Sequence, residues 1–279
     1  MKKHSFAQYL FIGISAFLFI ACSQEEETEM MNETVPLKVL INESQSTTRA
    51  SLSGLSTTFE AGDTIGIFVT NKDYSQYYNV PYVFDGSNWN LVVGKYIPKR
   101  VSFLSDYLYF AYYPYLDSLP GWPYYDDSDE DGTCSDEEFF KSVIERWTPQ
   151  TDQSTKAKFN ASDLMVGKGT IINAQNGTVS FALKHQMGLI RLSYFDWVNQ
   201  QNYEDVSFMG NSYFYDEDNP DEIYPLPYNA GNYLYFIAKP GTAFGFWCWG
   251  SAFGQYEEYS VNVKQSKGVI TNYTIHPSY

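Results

Sequence analysis

Phe59-Glu60-Ala61-Gly62-Asp63-Thr64-Ile65-Gly66-Ile67-Phe68-Val69 is the stretch on which the fold turns. Its first six residues carry a Gly-Asp pair and form a turn. The turn feeds Ile65–Val69, a short run of β-branched and aromatic residues that predicts a strand. The same grammar recurs outward from it. Downstream, Tyr77–Phe84 is a second strand, Asp85-Gly86-Ser87-Asn88 a hairpin turn and Trp89–Val93 the return. Tyr107–Tyr113 follows and stops at Pro114. Upstream, Val35-Pro36-Leu37-Lys38-Val39-Leu40-Ile41 alternates in part and predicts a lone strand bounded by polar residues. None of these stretches has a helical period. With 25 Tyr and 20 Phe the chain is rich in rings that pack well on pleated surfaces, so an all-β fold is expected.

Composition narrows the function classes. Hydrophobic residues make up 44% of 279, enough to build one large core or two of ordinary size. Acids outnumber bases 33 to 18, which excludes a nucleic-acid partner, since phosphate binding needs clustered Lys and Arg. Cys22, Cys134 and Cys248 lack metal-ligand spacing. If Cys22 carries a lipid, the other two either pair or stay as thiols, with Cys248 between Trp247 and Trp249. His4, His185 and His276 do not cluster, and no Gly-rich phosphate loop or nucleophile elbow is present. No local motif supports a glycosidase carboxylate pair. No enzyme is expected, and His185 is given a structural role.

The N-terminus predicts export. Lys2 and Lys3 form a positive n-region, and Leu10–Ala21 is an apolar run of 12 residues, too short to span a bilayer. Ala21 directly before Cys22 resembles the lipobox of bacterial lipoproteins, with Phe19 where Leu is usual. That likeness implies removal of residues 1–21 and a diacylglycerol on Cys22, which anchors the chain in the outer membrane. The acidic Ser23-Gln24-Glu25-Glu26-Glu27 resembles a signal for the outer face. Residues 22–34 are polar and unpatterned, a tether. Asn42–Thr48 is a loop open to proteases, and Arg49 at its end is the first basic residue after the Val35–Ile41 strand.

One ordered set of motifs joins these signals. Thr48-Arg49-Ala50, Phe59-x-x-Gly62-Asp63-x-Ile65-Gly66-Ile67-Phe68, Asn79-x-x-Tyr82 and Trp89 come first. Ala111-Tyr112-Tyr113-Pro114-Tyr115, Asp163-Leu164-Met165 and Val179-Ser180-Phe181-x-x-x-His185-Gln186-Met187 follow. In this order they resemble the fimbrillin family, the Mfa-like lipoproteins and subunits of type V pili. The resemblance implies two tandem transthyretin-like β-sandwich domains. They are placed at 35–173, with an acidic and partly helical insertion near 116–150, and at 174–279. Expected strands of the second domain are Thr178–Leu183, Gly188–Tyr194, Tyr233–Ala238, Ala243–Trp249, Tyr256–Val263 and Val269–Ile275. Pro225 and Pro227 belong in a connection or edge.

The resemblance also implies a device. A trypsin-like surface protease would cut between Arg49 and Ala50 and remove the lipid together with the strand that buries Val35, Leu37, Val39 and Ile41. The empty groove would then take a strand from another pilus subunit. Because the sequence stops just after its last predicted strand, at His276-Pro277-Ser278-Tyr279, a tip or accessory subunit is expected rather than a stalk repeat. The competing expectation is an uncut surface lipoprotein that captures a host glycan or protein receptor through aromatic residues. Tyr124 and Tyr125 are the ones expected to be exposed, while Trp247 and Trp249 share one face of a strand and are placed in the core.

The insertion holds one further pattern. Asp127-x-Asp129-x-Asp131-Gly132 with Glu138 satisfies a twelve-residue calcium loop whose oxygens would come from Asp127, Asp129, Asp131, Thr133, Ser135 and Glu138. A solvated acidic loop is the competing reading, and no helix enters, because Pro120, Gly121 and Pro123 break it. Glu137–Trp147 is the best helix in the chain. No reading requires a cofactor, and calcium is the one ion the spacing suggests.

Overall fold

Gly62 sits at φ 103°, where a side chain is disfavoured, and lets the chain reverse between Glu60 and Asp63. The Asp63 carboxylate accepts from the Glu60 N–H at 2.7 Å, and the Asp63 N–H donates to the Glu60 carbonyl at 2.9 Å. What leaves this turn is an interior strand of the first sheet, paired on both sides. The computed structural model describes residues 34–42, 59–125, 133–194, 226–230, 233–241, 243–250, 255–262 and 267–275. In chain order these form β1 (Lys38–Ile41), β2 (Thr64–Thr70), β3 (Ser75–Phe84), β4 (Trp89–Leu91) and β5 (Leu108–Tyr113). Three short helices follow, α1 (Asp136–Phe139), α2 (Lys141–Arg146) and α3 (Lys156–Ala161). Then come β6 (Met165–Asn173), β7 (Thr178–Phe181), β8 (Lys184–His185), β9 (Gly188–Tyr194) and β10 (Tyr228–Ala230). β11 (Tyr233–Ala238), β12 (Ala243–Gly250), β13 (Gln255–Asn262) and β14 (Ile270–Ile275) complete the order.

The first sheet runs β1-β7-β6-β5-β2-β3-β4, with β8 also paired to β6. β6 links its two wings. Residues Tyr113 to Phe110 of β5 pair with Met165–Lys168, whereas β7 pairs with the later half from Gly169 to Asn173. Leu37, Val39, Val179 and Phe181 from one wing share a core with Ile65, Ile67, Val69, Tyr109 and Tyr113 from the other. This is a β-sandwich, and burial of these side chains at about 1.5–3 kcal/mol each is its main support.

The opposite face of β2 and β5 builds a second core. Phe68, Phe110 and Tyr112 meet Phe139, Phe140 and Val143 of the helical insertion, with Phe110 and Phe139 stacked at 4.1 Å. The same core continues into Leu189, Tyr235 and Ile237 of the second sheet, whose order is β10-β11-β9-β14. Gln153 closes that sheet's edge beyond β10. Its amide donates to the Ile237 carbonyl at 2.8 Å and accepts from the Ile237 N–H at 2.8 Å, as a neighbouring strand would. β12 and β13 form a separate antiparallel ladder.

Two expectations need correcting, and one strand was not expected. The single helix over Glu137–Trp147 is two helices that meet at Phe140, whose φ −93° and ψ 9° interrupt the helical run while its ring stays fully buried. The strand Thr178–Leu183, expected to help open a second domain at residue 174, pairs as β7 with β6 and β1 in the first sheet. β6 itself was not expected as a strand, because Gly167, Lys168 and Gly169 interrupt its alternation.

Candidate functional site

β1 is the element whose seating bears most directly on function. Its residues alternate cleanly: Val35 and Ile41 are half-buried, Leu37 and Val39 are buried, and Pro36, Lys38 and Leu40 face solvent. One flank pairs in parallel with β7, from Lys38 opposite Thr178 to Ile41 opposite Phe181. The Lys38 N–H donates to the Gly177 carbonyl at 2.9 Å, and the Asn42 N–H to the Phe181 carbonyl at 2.8 Å. The other flank meets Val101–Phe103. There the Leu37 N–H donates to the Val101 carbonyl at 2.9 Å and the Phe103 N–H to the Val35 carbonyl at 2.7 Å. A strand of this kind lies in a slot with two backbone walls and an apolar floor. The second wall, Val101 and Phe103, flanks a single isolated bridge between Pro36 and Ser102, too short a run to carry a strand signal in the sequence.

The motif residues converge elsewhere, at the base of β2. Phe59 packs edge-on against Trp89 at 5.2 Å and against Tyr113 at 5.3 Å. The Tyr113 hydroxyl donates to Asp63 at 3.0 Å, and burial, reinforced by that carboxylate, pushes its pKa up. Gly66 lies under the Tyr112 ring, so close that a Cβ there would fall 2.1 Å from Cε1. The Tyr112 hydroxyl in turn donates to Asn79 Oδ1 at 2.8 Å. Asp163 and His185 are joined through Oδ2 and Nδ1 at 2.8 Å, both buried, which ties β8 to the start of β6. Each of these contacts fixes one strand against another, and the buried His–Asp pair is closed to any substrate.

A cleft of about 490 Å³ opens beside the turn, lined among others by Glu60, Asp63, Tyr115, Lys156 and Asn160. Lys156 pairs with Glu60 across it. Tyr115 is pushed up to about 12 by burial and by its bond to Asp117. The charges of Lys156 and Glu60 are thus paired, and the Asp63 carboxylate already accepts from the Tyr113 hydroxyl.

Cys22, Arg49, Ala50, Asp127, Asp129 and Asp131 lie outside the described residues, as does the side chain of Cys248. Tyr124 and Tyr125 are described, the first exposed and the second half-buried. Cys134 is buried. Of the other three calcium-loop positions, Thr133 is exposed, and Ser135 and Glu138 have a local structural role. Ser135 caps α1, accepting from the Glu138 N–H at 3.2 Å, while Glu138 Oε2 accepts from the Ser135 N–H at 2.6 Å. This capping box accounts for the Ser-x-x-Glu spacing by itself.

Comparison with known proteins places this arrangement. The profile of the family described as Fimbrillin-like matches residues 48–210. A protein of Bacteroides ovatus named as a fimbrium tip subunit, Fim1C, is 30% identical over 199 residues, which are 68% of this chain and 35% of that protein. The chain therefore spans about a third of the length of this curated relative. A crystal structure of a fimbrial protein from Bacteroides ovatus matches with a TM-score of 0.58 at 19% identity, covering 87% of this chain and 49% of the other. A cell adhesion protein from Bacteroides uniformis matches with a TM-score of 0.50 at 17% identity, covering 87% and 92%. Those two likenesses concern the fold. The matched span carries the Gly62 turn, the Asp163–His185 tie and both walls of the β1 slot, and on that match the chain belongs to the fimbrillin-like family.

Proposed function

We propose that this chain is a surface-exposed fimbrial subunit, structural or adhesive, that is assembled by exchange of β1 for a strand of another subunit. The observation that carries the reading is the seating of β1, with both flanks bonded and alternate side chains buried. A segment so placed can be replaced by any strand that repeats its alternation, because the ladder reads backbone and the slot reads every second side chain. The lipid on Cys22 delivers the chain to the outer membrane. A trypsin-like protease cuts after Arg49, eight residues beyond Ile41. β1 then leaves with the lipid, and the groove it exposes drives capture of the next strand by burial of apolar surface. A tip or accessory position is supported by the name of the Bacteroides ovatus relative.

Limited digestion with trypsin, followed by intact-mass measurement, tests this. The expected products are a fragment ending at Arg49 and a folded core beginning at Ala50, and the core should take up a synthetic peptide with the sequence of residues 35–42. Arg49→Ala should block both steps. A folded chain that resists cutting at Arg49 while other exposed basic sites are cut would overturn the proposal, as would a cut core that ignores the peptide.

A further inference from the structure

The side of the first sheet away from the β1 slot carries an indole in water. Trp122 is 69% exposed, and one of its faces is stacked on Tyr78 with ring centroids 4.7 Å apart and 25° between planes. Tyr78 is itself held edge-on by the fully buried Phe68 at 4.8 Å. Two devices hold the pair outward. The first is a bulge: Ile67 pairs with Val80 and Val69 with Tyr77, so that Tyr78 and Asn79 together oppose Phe68 alone. Bulges re-aim side chains, and here Asn79 takes φ 50° with its amide bonded to the Leu116 carbonyl at 2.9 Å. The second is the backbone around Trp122. Buried Gly121 lies so near the Ser142 carbonyl that a Cβ would fall 2.3 Å from it, and the Tyr124 N–H donates to the Phe139 carbonyl at 3.2 Å. The ring is thus pinned on both sides and left with one open face.

The surroundings say what that face suits. Tyr124 and Leu116 are the other large exposed apolar side chains of this segment, and exposed Asp117 and Ser118 follow Leu116. Four partly exposed side chains fall well short of the roughly 800 Å² that each partner of a stable protein interface contributes. A net charge of −15 repels anionic ligands, acidic sugars included. A pyranose fits both limits. Its C–H face meets the negative face of an indole, and its hydroxyl rim reaches polar neighbours. We propose that Trp122, backed by Tyr78, is a stacking platform for a neutral pyranose ring of a surface glycan. The platform lies on the Phe68 side of the sheet and β1 in the opposite core, so the two proposals stand or fall separately.

The test is binding of the full-length chain to immobilised oligosaccharides ending in glucose, galactose, mannose or N-acetylhexosamine, with sialylated counterparts alongside. At least one neutral member should be retained. Trp122→Ala should weaken it about tenfold or more, Trp122→Phe should keep part of the binding, and Tyr78→Ala should weaken it less than Trp122→Ala. Melting temperatures should stay unchanged for the Trp122 variants, since that side chain is mostly in water. Trp122→Gln, which fills space but cannot stack, serves if the alanine variant folds poorly. Retention of no neutral sugar, preference for the sialylated set, or equal binding by Trp122→Ala or Trp122→Gln would overturn the proposal. A change of oligomeric state in these variants without sugar retention would assign the face to a second copy of the chain instead.

Discussion

Truncating Leu37 and Val39 together to alanine is the sharpest test of whether β1 is a separable plug or an ordinary part of the sandwich. Both side chains are buried, at 6% and 5% exposure, and both project into the core shared by the two wings. Leu37→Ala should cost about 3 kcal/mol, and loss of two methyl groups at Val39 about 2 more, about 5 in all. Against this stands the cost of holding the strand, about 1–2 kcal/mol for each ordered residue over Val35–Ile41. The gross contacts of β1 are therefore largely spent on ordering it, and a loss of about 5 kcal/mol is enough to let it go. Hydrogen exchange reads the outcome residue by residue. The amides of Leu37, Lys38, Asn42 and Phe103, which make the slot's bonds, should lose protection, while those of β2, β3 and β5 keep theirs. Substituting exposed Lys38 or Leu40 should do neither. If β2 and β5 lose protection in the same step as β1, the strand is integral to the fold, and assembly by its release is refuted.

Three further outcomes are expected. Gln153→Ala strips the Ile237 N–H and carbonyl of their side-chain partner inside a buried edge, and should cost about 1–3 kcal/mol for each group left unpaired in denaturant unfolding, with Gln153→Glu also destabilising because it cannot donate. Gly66→Ala drives a methyl into the Tyr112 ring, 2.1 Å from Cε1, and should destabilise by about 1–3 kcal/mol in the same assay. Alkaline pH should also unfold the protein. Burial raises the pKa of Tyr82, Tyr109, Tyr112 and Tyr113 above 10.0, so above pH 10 the unfolded chain loses protons that the folded chain keeps. Their contribution is complete below pH 10, and stability then falls by up to about 1.4 kcal/mol per pH unit for each such tyrosine; Tyr113→Phe should reduce the slope of stability against pH by about that amount.

How much of this was legible in the sequence depended on whether a feature is local. The Gly62-Asp63 turn, the hairpin at Asp85-Gly86-Ser87-Asn88 and β1 could be read because their signals lie within a few residues. In the hairpin, the Asp85 carboxylate accepts the N–H groups of Ser87 and Asn88 at 2.8 and 2.7 Å, as its turn chemistry requires. β6 could not be read. Its Gly167 and Gly169 weaken any strand signal, yet they are there because neighbours approach too closely for a side chain: Ala182 in one case, Val179 and Tyr109 in the other. The parallel pairing of β1 with β7 joins residues about 140 apart and leaves no local trace. Gln153 looked like any polar loop residue, since what makes it buried is the early end of β10. The Tyr78–Trp122 stack was likewise hidden, because the bulge that aims Tyr78 depends on a register between two strands.

The signature residues and the functional surfaces are therefore different sets, for a physical reason. Gly66, Asn79, Tyr112, Asp63, Tyr113, Asp163 and His185 each satisfy or accommodate a specific neighbour inside the structure. A group so engaged cannot also meet a partner without leaving a buried polar atom unpaired, at about 1–3 kcal/mol each. Their shared purpose is to keep the slot walls and the bulge rigid. Under the two proposals above, partner choice falls to residues that make few obligatory contacts, namely whatever strand occupies the slot and the open face of Trp122. Under the proposed exchange, varying an incoming peptide at the positions that match 37 and 39 should alter how well it is accepted while the Asp63–Tyr113 and Asp163–His185 bonds hold, whereas disrupting either bond should loosen the slot for every strand alike. Measured side by side on the cut core, a set of peptides varied at these two positions would separate the two effects. Equal discrimination among peptides after Tyr113→Phe and a lost preference after slot-wall changes at Val179 or Val101 is the pattern that this division of labour demands.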